Sequence, residues 1–224
     1  MKIKINKLLT ASLIIILSGS DIFSQEYEVL NSTVPSVRMG EIQRLGNDGI
    51  IEAVPTLIEL LTDETVGVRI NAVVALGRLG TEEAAEALIK SLNEDSSPAV
   101  KVMAAQEIGR FGSDYSVNAL VDASDSENEL VAASAVRSLG RIGGDKAREK
   151  LLDKAENAKN NKIKSAAVNS LLELPDFGAN EKDIEDVERI IKRIKKDKKK
   201  SGVTISDKTT EKLEEIKKKH WNTK

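Results

Sequence analysis

Apolar residues recur along this chain at steps of three and four, and short polar stretches interrupt them at regular intervals. Val68, Ala72, Ala75, Leu76 and Leu79 fall on one stripe of a helix. Val100, Ala104, Ile108 and Phe111 repeat the stripe, with only Glu107 out of character. Ahead of such segments lie further apolar ones: "VPTLIELL" from Val54, "AEALIKSL" from Ala85, "VNALVDAS" from Val117 and "REKLLDKA" from Arg148. The stretches between them, "TDET", "NEDSSP", "SDSENE" and "ENAKNN", are rich in residues that cap helices and close turns. Pro98 stands where a helix can begin, because the N–H it lacks would have had no partner there. The pattern predicts pairs of amphipathic helices, each pair joined by a polar turn.

The pairs keep a period. "ALGRLG" from Ala75 returns as "EIGRFG" from Glu107 and "SLGRIG" from Ser138. Alignment on the arginine gives Arg44, Arg78, Arg110 and Arg141, at gaps of 34, 32 and 31, and the first segments recur at gaps of 31, 32 and 31. A fifth copy ends in "SLLELPD", with Glu173 in the arginine position and a proline replacing the second glycine. Two markers on one period indicate a stacked repeat. Gly80, Gly112 and Gly143 are expected to end the second helices in a left-handed conformation. Gly77, Gly109 and Gly140 lie one turn earlier, where helices disfavour glycine, so close approach between neighbouring helices is their expected role. Val34 to Gly46, with Arg44 and Gly46, reads as an N-terminal half repeat that caps the stack.

Two helices per unit of about 31 residues, closing on "ALGRLG", resemble HEAT repeats, in particular the short HEAT-like repeats first described in phycobilisome lyases. The resemblance covers about Val34 to Asp176. It implies an all-α, right-handed superhelical solenoid of about four repeats plus the N-terminal half repeat, with the second helices lining the concave face. It is specific for fold and not for function, since the repeat serves many unrelated proteins. The expected organisation is a signal peptide over 1–24, a linker over 25–33, the solenoid over 34–178 and a basic amphipathic helical tail over 179–224.

Composition agrees with this fold. Aromatic residues make up only 3%, so the core must be built from Ala, Val, Leu and Ile. Lys2, Lys4 and Lys7 precede an uncharged, mostly apolar run of ten residues from Leu8 to Leu17, followed by small residues at Ser18, Gly19, Ser20 and Ser24. This is the layout of a secretory signal peptide cleaved near Ser20 or Ser24, with an uncleaved anchor as the other reading. Export to a bacterial periplasm follows as the expectation. The chain has no cysteine, which removes lipoprotein attachment, disulfides and thiolate metal sites.

Charged residues form ladders on the same period. Asp63, Glu94, Asp125 and Glu156 recur at 31, and Arg69, Lys101 and Lys164 occupy one position near the start of the second helices. Carboxylates in such turns cap helix starts and pair with bases of a neighbouring unit. The arginines of the glycine phrase lie off the apolar stripe. They share a face with Asn71 and Val74, then Met103 and Gln106, then Ser134 and Arg137. If that face lines the concave groove, Asn71, Val74, Arg78, Met103, Gln106, Arg110, Arg137 and Arg141 form a partner-binding surface whose guanidinium groups grip carboxylates. The same arginines also suit helix C-termini, and the two roles are compatible.

No catalytic residue, metal site or cofactor is expected. The only histidine is His220, so no histidine metal cluster can form, and the repeated His-Glu pairs with which some HEAT-like enzymes bind iron are absent. Neither a phosphate loop nor a nucleophile elbow is present. The span 25–180 is net acidic and poor in aromatics, which argues against nucleic acid. The expected partner is a protein, and the expected state is a monomer.

In the tail, Ile184, Val187, Ile191 and Ile194 recur at 3, 4 and 3, with acids at the start of the segment and bases at its end. One reading is a helix that caps the last repeat. The other is a docking surface in which Lys195, Lys196, Lys198, Lys199 and Lys200 touch anionic lipid, cell wall or an acidic partner, the only membrane contact this chain offers. The last segment, with Leu213 and Ile216, is expected to be a short helix with little to bury.

Overall fold

The protein was analysed as a computed structural model, which describes residues 28–111, 114–174, 177, 181–196 and 205–222. The expected signal peptide, Gly112 and Lys198, Lys199 and Lys200 lie outside the described residues. A 3-10 turn at Glu28–Asn31 is followed by α1 Pro35–Asp48, α2 Val54–Glu59, α3 Val66–Leu79, α4 Glu82–Glu94 and α5 Pro98–Ile108. Then come α6 Asp114–Ala123, α7 Glu129–Ile142, α8 Asp145–Asn157, α9 Asn161–Glu173, α10 Glu181–Lys196 and α11 Asp207–Asn222. Every described element is helical.

Polar side chains and prolines start several of the helices. The Thr81 hydroxyl accepts from Ala84 N at the start of α4, and the Asn128 side chain accepts from Leu130 N and Val131 N at the start of α7. The Asn160 side chain does the same for α9, and prolines open α1 and α5. Gly49 and Gly80 end α1 and α3 in the left-handed region, at φ 70° and 67°. α5 differs. It ends at Ile108, and Gly109 closes it with a negative φ, so Arg110 and Phe111 lie in a turn beyond the helix.

Two layers result. α1, α3, α5, α7, α9 and α11 stack on one another, and α2, α4, α6, α8 and α10 cover them. Leu45, Leu76, Ile108, Leu139 and Leu171 of the first layer are fully buried, as are Leu57, Leu88, Leu120, Leu151 and Ile184 of the second. The second of these rows runs on into α10, so the tail continues the stack. Ile184, Val187, Ile190, Ile191 and Ile194 face the core, and α11 packs on α9 and α10. α11 buries more than its sequence suggested: Leu213 is 2% exposed, and Thr209 donates to the Asn169 side chain of α9 at 2.8 Å. Thr209, Leu213 and Ile216 form its inner stripe, and Ile205, just ahead of the helix, is buried as well. Among the described residues the chain therefore folds as a half unit and five helix pairs, one pair more than the sequence period showed.

The first layer is the closer-packed of the two, because glycines sit at its helix contacts. A Cβ placed on Gly109 would lie 2.7 Å from Ser138 Cβ, and one on Gly46 would lie 2.8 Å from Ala75 Cα. Gly77 lies under the buried Glu107 side chain, which explains the acidic break in the stripe of α5. A stack that is this closely spaced in one layer curves toward that layer, which sets the second helices on its inner side.

Ion pairs fasten unit to unit. Arg69 meets Asp95 through Nε and Nη2 at 2.8 and 3.0 Å, and Arg38 meets Asp63 at 3.0 Å. The Asp95 carboxylate raises the pKa of Arg69 still further above its ordinary value. The expected acid here was Glu94. Asp95 takes the role because it stands three residues before Pro98, the start of α5, where it also accepts from Ser97 N, as Asp63 does from Thr65 N. Asp125 pairs with Lys150 and Lys154 of the next unit, and Glu156 with Arg193 of α10. Lys101 and Lys164 instead donate to the main-chain carbonyls of Asn93 and Glu156 within their own units.

Candidate partner-binding face

Helix spacing brings the sequence-predicted residues to one surface. Arg78 on α3, Arg110 just beyond α5, and Arg137 and Arg141 on α7 are all exposed. Asn71, Val74, Met103 and Gln106 are half-buried between them. Each belongs to the inner layer, on the side away from the covering helices.

The guanidinium groups are held but not enclosed. Arg78 donates to the Asn47 side chain of α1, and Arg110 pairs with Glu107 at 3.1 Å. Arg137 donates to Ser134 Oγ at 3.3 Å. Arg141 reaches back to the Gln106 carbonyl at 2.8 Å and to Ser138 Oγ at 2.7 Å, so it bridges two units. Gln43 and Asn71 likewise join α1 to α3 at 2.7 Å. Most acceptors here are amides, hydroxyls and a carbonyl. Among the described carboxylates, Glu107 alone pairs with these four arginines, so the face keeps positive charge.

Arg44 does not belong to this row. With the contact glycines Gly46, Gly77, Gly109 and Gly140 in register, the residue in line with Arg78 is Asn47, which Arg78 touches. Arg44 falls in line with Ala75 and pairs instead with Glu41 and Asp48 of its own helix, at 2.5 and 3.1 Å. The Arg44 guanidinium holds Glu41 below the usual carboxylate range. Where α3 needs a small residue to stack on its predecessor, α1 carries an ion-pair triad, the polar flank of a capping helix.

The apolar seam of the tail is buried in the stack, Lys195 donates to Thr210 Oγ1 at 2.9 Å, and Lys196 is exposed. No helix among the described residues is long and apolar enough to cross a membrane. Among the same residues no three His, Asp or Glu side chains converge as metal ligands. On the covering layer, the six-residue α2 leaves an open groove of about 800 Å³ against α4, floored by Ile58, Leu61 and Ala87 and edged by Glu59, Glu83, Glu86 and Glu94. The groove leaves no signal in the sequence, since it arises from the shortness of α2, which is a property of packing.

A stack of helix pairs with a continuous inner face is the architecture of the α-helical repeat scaffolds. The sequence profile of HEAT repeats matches residues 27–101 and 85–172, and the chain belongs to the HEAT-repeat family. Solved structures share the fold. An engineered protein has 20% identity, with 85% of this chain and 94% of that one covered and a TM-score of 0.51. Computationally designed armadillo repeat proteins for modular peptide recognition have 17% identity, with 87% and 98% covered and a TM-score of 0.52. A designed armadillo repeat protein in complex with the peptide (KR)4 has 17% identity, with 88% and 98% covered and a TM-score of 0.53. No curated protein matches the chain.

Proposed function

We propose that the chain is a non-catalytic scaffold of the bacterial envelope that holds an acidic protein partner on its inner face. The observation that carries this reading is the row of Arg78, Arg110, Arg137 and Arg141, exposed on three neighbouring units and balanced by one carboxylate. Guanidinium groups anchored at one edge keep donors free for bidentate contact with a carboxylate, and their anchoring limits the entropy lost on binding. The repeat fold supports the reading, as solenoids of this kind present preformed inner surfaces to other proteins. A designed armadillo relative holds a lysine- and arginine-rich peptide; a face lined by arginine selects the opposite sign. Residues 1–24, with their lysines, apolar run and small residues, support export, and the absence of cysteine removes a lipoprotein anchor.

The test is a crosslinking pull-down from the native envelope fraction with the mature protein and with an Arg78→Glu, Arg110→Glu, Arg137→Glu variant matched in helicity and melting. Arg141 is spared because it bridges α5 and α7. A partner captured by the first and lost by the second is the expected result. Identical capture by both would make the arginines structural and the reading wrong.

A further inference from the structure

The offset between neighbouring inner helices decides which exposed side chains adjoin. Gln43 of α1 meets Asn71 of α3, three positions nearer the helix start than its counterpart Val74. Gly109 and Gly140 meet Ser138 and Ser170, each two positions nearer the start than the counterpart in the next helix. The same offset carries Val74 of α3 to Met103 of α5. One helix further, the exposed residue on the corresponding turn of α7 is Leu130, since Val131 and Ser134 are buried.

Leu130 is 67% exposed, at a position where α3 has Gly67 and α5 has Ala99. An isolated exposed leucine needs no explanation, but one that extends a row of apolar side chains across three helices does. By this offset the half-buried Val74 and Met103 and the exposed Leu130 fall along one diagonal of the face, an apolar seam. Arg78, Arg110, Arg137 and Arg141 follow it on the side of the helix ends.

From this juxtaposition we infer that the occupant of the inner face is an amphipathic acidic segment of a partner protein, with aliphatic side chains on the seam and Asp or Glu on the arginine edge. The inference rests on the inner face being the binding face. Charge alone would accept any polyanion, whereas the seam asks for desolvated apolar contact beside the charge, which is where binding energy concentrates. Met103 adds adaptability, as its unbranched thioether side chain fits differently shaped aliphatic groups. Neighbouring helices lie about 8–10 Å apart, so a helical ligand crossing the stack at about 1.5 Å per residue meets the seam every six or seven residues.

The experiment is selection of random sixteen-residue peptides displayed on phage against the folded chain. Dissociation constants of the winners are then measured on the wild type, Leu130→Glu, Leu130→Ala and the triple arginine variant. The expected result is peptides carrying both acids and large aliphatic residues. Their affinity should fall at least about tenfold on Leu130→Glu and on the arginine variant, and by a smaller factor on Leu130→Ala. Acid-rich peptides without aliphatic enrichment, indifferent to both Leu130 changes but lost by the arginine variant, would overturn the seam and leave the inner-face reading standing. Peptides that bind the arginine variant unchanged would overturn both. No enrichment above background would also overturn the inference.

Discussion

Gly140 of α7 and Ser170 of α9 are pressed together so closely that a Cβ on the glycine would lie 2.5 Å from the serine Cβ and 3.0 Å from its Cα. Such distances leave no room for a methyl group, and the serine backbone cannot move aside without shifting α9. The inner layer is therefore built on an absence of side chain at one contact position at each of Gly46, Gly77, Gly109 and Gly140.

Gly140→Ala is expected to destabilise the protein by about 1–3 kcal/mol, because overpacking outweighs the gain in helix propensity. Gly40→Ala is the control. Gly40 lies within α1 with nothing within 4 Å of an added Cβ, so it should stabilise by about 0.5–1 kcal/mol. Urea midpoints of the two variants should move in opposite directions.

Arg69→Ala removes the bidentate partner of Asp95 and leaves that carboxylate largely buried, with its side chain 6% exposed. The expected cost is about 3 kcal/mol. Arg44→Ala removes a solvated triad and should barely move the melting temperature. Similar losses for the two would mean that Arg44, like Arg69, joins one unit to the next.

Leu213→Ala should cost about 2–4 kcal/mol, since α11 is part of the stack and its leucine is almost fully buried. Hydrogen exchange should show lost protection in α10 and α11 first. An unchanged melting curve would show that α11 is detached in solution.

The α10–α11 contact should depend on pH through Glu188. Lys192 holds this carboxyl below the ordinary value of 4.5, against an opposing push from burial, and Lys217 of α11 adds to the effect. A depressed carboxylate pKa stabilises above the unfolded value, and that stability is lost as pH falls through the folded one. Lys217 is raised above its ordinary value of 10.5, chiefly by Glu214 and then by Glu188, so its contribution holds below that value and is lost as pH climbs past the raised one. Glu188→Gln should lower the melting temperature at pH 7 and match the wild type near pH 3. An equal gap at both pH values would show that Glu188 acts by packing.

The period, the helix pairs, the capping residues and the contact glycines could all be read from the sequence. Each depends on local geometry: 3.6 residues per turn places the apolar stripe, and a glycine that helices disfavour signals a neighbour too close for a side chain. The row of Arg78, Arg110, Arg137 and Arg141 was legible for the same reason, as residues on one side of one repeated helix. The offset of each helix against the next was not legible, because no single helix encodes it. That offset decided that Asn47 and not Arg44 meets Arg78, and that Gln43 meets Asn71. Asp95 took the place expected of Glu94 because a carboxylate has to sit at a set distance before the helix it caps. α10 and α11 joined the stack despite a longer connection, since burying Ile184 and Leu213 against neighbouring helices outweighs the break in period. Helix pattern is a property of the chain. Register between helices comes from the packed surface, where side-chain volume and charge are matched across units.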